Sequence, residues 1–316
     1  MARRYIIGMD EAGYGPKLGP LLIAATVWSV PEDCSSFDFW SELETVATNT
    51  PARSEHRLHV ADSKKVYSSS KGLKSLERSV FGFASLAGYE VESLRRFIEQ
   101  LAGTIPETFE TQSWYQNRDL QLPLACNADQ IAVDAGRLEQ AMQTHSLRLE
   151  KIAVDVICPQ RFNHLVEKLG NKSELLTRCS LDLIQRVRPP LGSQTMIFAD
   201  KHGGRNRYLE YLNETFSGET FFSEQESQTQ STYRSEATTI TFGVKSERHF
   251  PVAIASMVAK YIREICMDLF NRFWLEQLPE LKPTKGYPQD AARFRSEVEH
   301  LLPRLAIEEN VFWRNR

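Results

Sequence analysis

Along the chain, the alternation of apolar and polar positions predicts a short strand at Arg4 to Met9. The breakers from Gly13 to Pro20 follow, then a β-branched apolar run from Leu21 to Val30 that pairs with the first strand. Helical spacing covers about Leu73 to Leu86. The stretch 103–128 has no period; with the helical pattern at Asp129 to Thr144 it reads as an insertion at about 95–150. Lys151 to Ile157 is a half-buried strand, and helices near Pro159 to Leu169 and Ser173 to Val187 stop at Pro189-Pro190. Thr195 to Ala199 is a short apolar strand ending in Asp200. A helix near Arg205 to Phe216 precedes a polar hairpin, Ser223 to Thr239, with Thr238 to Val244 as its better strand. Pro251 opens a helix from Val252 to about Leu278, the turn Gly286-Tyr287-Pro288 follows, and Ala291 to Leu301 is the last helix. Strands mixed with helices in this order imply one α/β or α+β layered domain over 1–316, with a helical segment from about 280.

Composition narrows this picture. Charged residues are 25% and hydrophobic residues 41% of 316, which supplies a core and excludes overall disorder. A net charge of −3 excludes a uniformly basic protein but not a local basic groove. Between Arg53 and Lys74 six basic residues (Arg53, Arg57, Lys64, Lys65, Lys71, Lys74) face only Glu55 and Asp62. On charge alone that run is an exposed basic loop; with a partner, it would bind phosphates. The five cysteines, Cys34, Cys126, Cys158, Cys179 and Cys266, form no CxxC pair, so neither a disulfide framework nor a zinc site is expected. No membrane-length apolar run and no signal peptide is present, and a reduced cytoplasmic protein is expected.

Three places carry candidate chemistry. Asp10-Glu11 ends the first strand before Gly13 and Gly15. Adjacent strand residues face opposite ways, so the pair serves one site only where the strand breaks; a solvated acidic turn is the other reading. Gly13, Gly15 and Gly19 match neither a dinucleotide loop nor a triphosphate cradle. Asp200 closes an apolar strand, where open α/β sheets place sites, although an isolated Asp is more often a cap or turn acid. Ser256, Lys260 and Glu264 share one helix face, and a Lys260–Glu264 surface pair accounts for part of that stripe. Four hard carboxylates, Asp10, Glu11, Asp200 and Glu264, suit Mg2+ or Mn2+ rather than zinc.

These pieces resemble type 2 ribonuclease H. The resemblance rests on Gly8 to Pro16 with Leu18-Gly19-Pro20, Ala61-Asp62-Ser63-Lys64-Lys65, Ile197 to Asp200, Ala253 to Glu264 and Lys285 to Asp290, all in the family's order. It implies a ribonuclease-H-like α/β fold, a mixed sheet flanked by helices, and endonucleolytic cutting of RNA paired to DNA by a monomer. It implies that Asp10, Glu11, Asp200 and Glu264 hold two divalent ions. Gly13, Tyr14 and Gly15 would read ribose 2′-hydroxyls, Tyr287 would pack on a sugar, and Ser63, Lys64, Ser256 and Lys260 would stand near the phosphates. Tyr14 stands where the family usually has a basic residue, and Glu264 where it usually has Asp. Two further functions fit the same residues: a nucleic-acid-binding module that has lost turnover, and a nuclease for another nucleic acid.

Overall fold

The computed structural model describes residues 3–32, 37–52 and 55–315; Cys34 and Arg53 lie outside them. Among the described residues nine strands form: β1 (Arg3–Ala12), β2 (Leu21–Pro31), β3 (Ala47–Thr48), β4 (Leu58–His59), β5 (Arg148–Ile157), β6 (Thr195–Asp200), β7 (Phe222–Glu226), β8 (Gln230–Arg234) and β9 (Thr238–Gly243). Seven of them make one mixed sheet in the order β5-β2-β1-β6-β9-β8-β7, and β3 pairs with β4 separately. β1, β6 and β9 run parallel at its centre, while β2, β5, β8 and β7 add antiparallel flanks. The fold is α/β, a mixed sheet flanked by helices.

The two faces follow the period-two alternation of the strands. Ile7, Met9, Ile197 and Ala199 enter a core closed by helices Pro159–Leu169 and Lys172–Val187. Ile6, Leu22, Ala24 and Trp28 enter the opposite core, built around the 28-residue helix Phe250–Gln277. That helix sits close on β1 because Gly8 has no side chain: a Cβ there would run into the backbone of Pro251 and Val252. The Thr26 hydroxyl donates to the Pro251 carbonyl at 2.8 Å and fixes the helix start.

In the segment expected as an insertion, the helix expected at Asp129 to Thr144 forms over Ala128–Thr144, and a further helix, Leu94–Ala102, is capped by Ser93 and ended by left-handed Gly103. Phe97, Phe109, Trp114 and Leu138 are buried in the same core as the long helix. Glu77, fully buried, accepts the N–H groups of Leu124, Ala125 and Cys126 and the Tyr261 hydroxyl, tying segment to helix. The expected helix at Arg205 to Phe216 forms only over Leu209–Thr215, and the last long helix is Pro288–Val298. Among the described residues no helix is long and apolar enough to cross a membrane.

Candidate active site

The register of the sheet brings the first two acids together. Met9 pairs with Ala199, so Asp10 and Asp200 stand level on neighbouring parallel strands, at their carboxyl ends. Period two turns Asp10 to the side of Gly8 and Ile6, and Asp200 to the side of Phe198, the face of the long helix. The expected strand break is not there: β1 continues in register through Glu11 to Ala12, so Glu11 leaves the strand on the opposite face, at the same sheet edge. Asp10 is 6% exposed; Glu11 and Asp200 are half-buried.

These carboxylates are electrostatically linked. Burial raises the Asp10 pKa well above its ordinary value, with repulsion from Glu11, Glu247 and Asp200 adding to it and a Ser256 hydrogen bond opposing it. Glu11 is pushed up to about 7 by burial and by Asp200 and Glu247, against the pull of Lys64. Asp200 is raised by burial, opposed by backbone N–H groups, among them that of Ser246 at 3.2 Å. Each shift has the sign of anionic groups crowded together out of water.

Glu247 is the member of this group that the sequence pattern does not single out. It sits in a 3-10 turn, Ser246–Arg248, entered through Lys245 at φ 59, and its pKa is raised by burial, then by Asp200 and Asp62. The available signal is topological: it lies four residues past the end of β9, which is parallel to β6 just as β6 is to β1.

Glu264, the fourth acid expected to ligate metal, has other partners close by. Its carboxylate takes the Lys260 and Lys285 ammonium groups at 2.5 Å each and the Tyr67 hydroxyl at 2.8 Å. The two lysines hold its pKa down to about 2 despite burial. The carboxylate thus lies between two cations that balance its charge.

Lys64 faces the acids, lowering the pKa values of Glu11, Asp200 and Glu247. It is the second residue of a short helix, Ser63–Val66, whose N-cap Asp62 accepts the Lys64 N–H at 3.0 Å. Buried Ser63 meets the Ser256 hydroxyl at 3.2 Å, so the Asp62-Ser63-Lys64 corner is locked to the long helix beside Asp10. Tyr287 is 53% exposed at the start of helix Pro288–Val298.

The glycine loop has two different glycines. Gly13 has φ +92 and a Cβ there would strike Arg263, so the protein itself requires glycine. At Gly15, exposed, a Cβ would meet nothing within 4 Å. Tyr14 between them is half-buried with the Lys172 ammonium 4.9 Å from its ring centroid. The Gly286 carbonyl accepts the Lys17 N–H at 2.7 Å, docking the Gly-Tyr-Pro turn on this loop.

Hard carboxylates brought to one end of the sheet, with Asp200 and Glu247 raising the pKa values of Asp10 and Glu11, match the chemistry of Mg2+ or Mn2+ in donor type. As the side chains stand, no three His, Cys, Asp or Glu groups among the described residues close into a metal-holding arrangement.

No protein-family model matches the chain. No curated protein matches it either. Among solved structures it is similar to ribonuclease H2 from Pyrococcus horikoshii OT3 at 14% identity, covering 98% of this chain and 92% of that one, with a TM-score of 0.45. It is similar to the RNase HII of a PCNA:RNase HII complex from Archaeoglobus fulgidus at 15% identity, 98% and 94% coverage and a TM-score of 0.41. For a Bst-RNase HIII in complex with Mn2+ the values are 17% identity, 98% and 66% coverage and 0.40.

Proposed function

We propose that this chain is a metal-dependent endoribonuclease that hydrolyses the RNA strand of RNA–DNA hybrids, acting as a cytoplasmic monomer. One observation carries the reading: Asp10 and Asp200 stand level on neighbouring parallel strands, and Asp200 and Glu247 add to the burial that raises the pKa values of Asp10 and Glu11. Isolated turn acids would not do so, and repulsion of this kind is tolerated where cations arrive to balance it.

Asp10, Glu11, Asp200 and Glu247 are the residues that would hold Mg2+ or Mn2+. Such ions, when bound, lower the pKa of a water and offset charge on the leaving oxygen. The chain's own groups do the rest. Lys64, beside the acids, draws the scissile phosphate toward them. Glu264 is proposed as an anchor instead of a ligand: it holds Lys260 and Lys285 fixed, so their charge reaches the phosphate backbone without first losing side-chain entropy. The open flank of Gly15 admits close approach of a ribose, where a backbone N–H can meet the 2′-hydroxyl that marks RNA. Exposed Tyr287 offers its ring to a neighbouring sugar.

The test uses four labelled substrates with Mg2+ or Mn2+: an RNA–DNA hybrid, duplex DNA, duplex RNA and duplex DNA with one ribonucleotide. Cleavage of the hybrid's RNA strand in preference to both homoduplexes supports the reading. Hybrid binding without cutting under either ion would instead make the chain a binding module of this fold. Preferential cutting of a homoduplex would make it a nuclease for another substrate.

A further inference from the structure

Two guanidinium groups lie buried under the glycine loop, Arg263 at 2% and Arg314 at 0% exposure. Arg314 comes from the far end of the chain, two residues past the short helix Glu309–Phe312. Its Nη1 donates to the Gly13 carbonyl at 2.6 Å and to that of Pro16 at 3.2 Å, and its Nη2 to that of Gly19 at 2.5 Å. Its main-chain N–H donates to the Lys17 carbonyl at 2.9 Å. The long helix contributes Arg263, whose Nη2 reaches the carbonyls of Leu18 at 3.4 Å and Lys285 at 3.1 Å. The Arg314 guanidinium also stacks 4.8 Å from the Phe162 ring centroid.

Burying a guanidinium is costly unless its donors are met by good acceptors. Here the acceptors of Arg314 are loop carbonyls. A loop with three glycines in seven residues samples many conformations when free, and glycine loses the most freedom on ordering. Anchoring three of its carbonyls to one rigid fork removes that freedom before any ligand arrives. The direction matters as well. In a trans peptide the C=O and the following N–H point opposite ways, so drawing the Gly13 carbonyl to Arg314 turns the Tyr14 N–H away from the interior.

We propose that Arg314 is a positioning residue that pre-orders the Gly13–Gly19 loop, presenting the Tyr14 N–H and the open flank of Gly15 to the nucleic acid. The substrate half of this proposal rests on the hybrid-nuclease reading; the ordering half does not. The C-terminal tail is thereby part of the substrate-reading loop, although the two are about 300 residues apart in sequence.

The experiment is hydrogen exchange by mass spectrometry on the full chain and on Arg314→Ala, with no substrate present, followed by hybrid kinetics. Exchange over residues 12–20 is expected to speed up roughly tenfold in the variant, the scale of losing hydrogen bonds to a charged group. β1 up to Asp10 and the long helix are expected to keep their protection. KM for the hybrid is expected to rise about tenfold, with kcat within about threefold of the parent. Arg314→Lys keeps the charge without the fork and carries the same test if the alanine variant does not fold; its loop exchange is expected to lie between the two. Unchanged exchange over 12–20 would overturn the proposal, as would a rise spread evenly through β1 and the long helix, which marks a merely structural arginine. Loosening of the loop in a chain whose parent cuts no hybrid supports the ordering role and overturns the nuclease reading alone.

Discussion

Lys285 and Glu264 meet at 2.5 Å with the Glu264 side chain only 4% exposed, and Lys260 closes on the other carboxylate oxygen. As an exposed i,i+4 pair, Lys260 and Glu264 would contribute ~0.3–0.5 kcal/mol. Buried between two ammonium groups, the carboxylate is a different object, with its pKa held down to about 2. Because the folded value lies below the ordinary 4.5, the stabilisation is fully present above pH 4.5 and is lost as pH falls toward 2. Glu264→Gln is therefore expected to cost about 3 kcal/mol at pH 7, the scale of breaking a buried pair. Urea unfolding at pH 7 and pH 3 checks it: the cost of the substitution should shrink by more than half at the lower pH. A pH-independent cost would contradict it.

The acid cluster has the opposite sign. Glu11, raised from 4.5 to about 7, binds a proton more tightly when folded, so its contribution turns unfavourable as pH rises through that window. Glu11→Gln is expected to stabilise the metal-free protein at pH 8, by on the order of 2 kcal/mol, and to do little at pH 4. In the parent, added Mg2+ or Mn2+ at pH 8 should recover that stability by binding only the folded state. Denaturant titrations with and without EDTA read both effects.

Glu247 and Glu264 separate two assignments of the fourth acid. Glu247→Gln is expected to lower the Mn2+-dependent cleavage rate by ~10²-fold or more, with hybrid binding kept. Glu264→Gln is expected to act mainly on KM, because its loss frees Lys260 and Lys285 without removing a donor from the cluster. Single-turnover kinetics on both variants decide between them; the reverse pattern would restore Glu264 to the metal site.

Gly13 and Gly15 are expected to respond differently to alanine. Gly13→Ala places a Cβ against Arg263 at positive φ and should destabilise the protein. Gly15→Ala meets open space, so stability should stay within ~0.5 kcal/mol while hybrid affinity falls roughly tenfold. Thermal melts and fluorescence anisotropy with labelled hybrid measure the two. Unchanged affinity in Gly15→Ala would remove the loop from the substrate path.

What the sequence makes legible follows from how local each signal is. The apolar runs of β1 and β6 lead into Asp10 and Asp200, and parallel pairing in register sets the two side by side, although β1 itself goes on to Ala12. The hairpin in the polar stretch is visible, but β7 is exposed along its length and has no alternation to betray its start. Glu247 hides in a 3-10 turn without periodicity. Spacing shows Lys260 near Glu264, yet gives no hint of Lys285, 21 residues on, and so does not show the carboxylate to be neutralised. Arg314 is illegible for the plainest reason: its partners are backbone carbonyls, which any residue supplies.

The most direct test of the central claim is cleavage of a strand-labelled RNA–DNA hybrid by the parent and by Asp200→Asn, across a Mn2+ titration ended with EDTA. Cutting confined to the RNA strand, dependent on Mn2+, abolished by EDTA and reduced at least ~10²-fold in Asp200→Asn is the predicted result. Equal cutting by the two proteins, or none by the parent at any Mn2+ concentration, would contradict it.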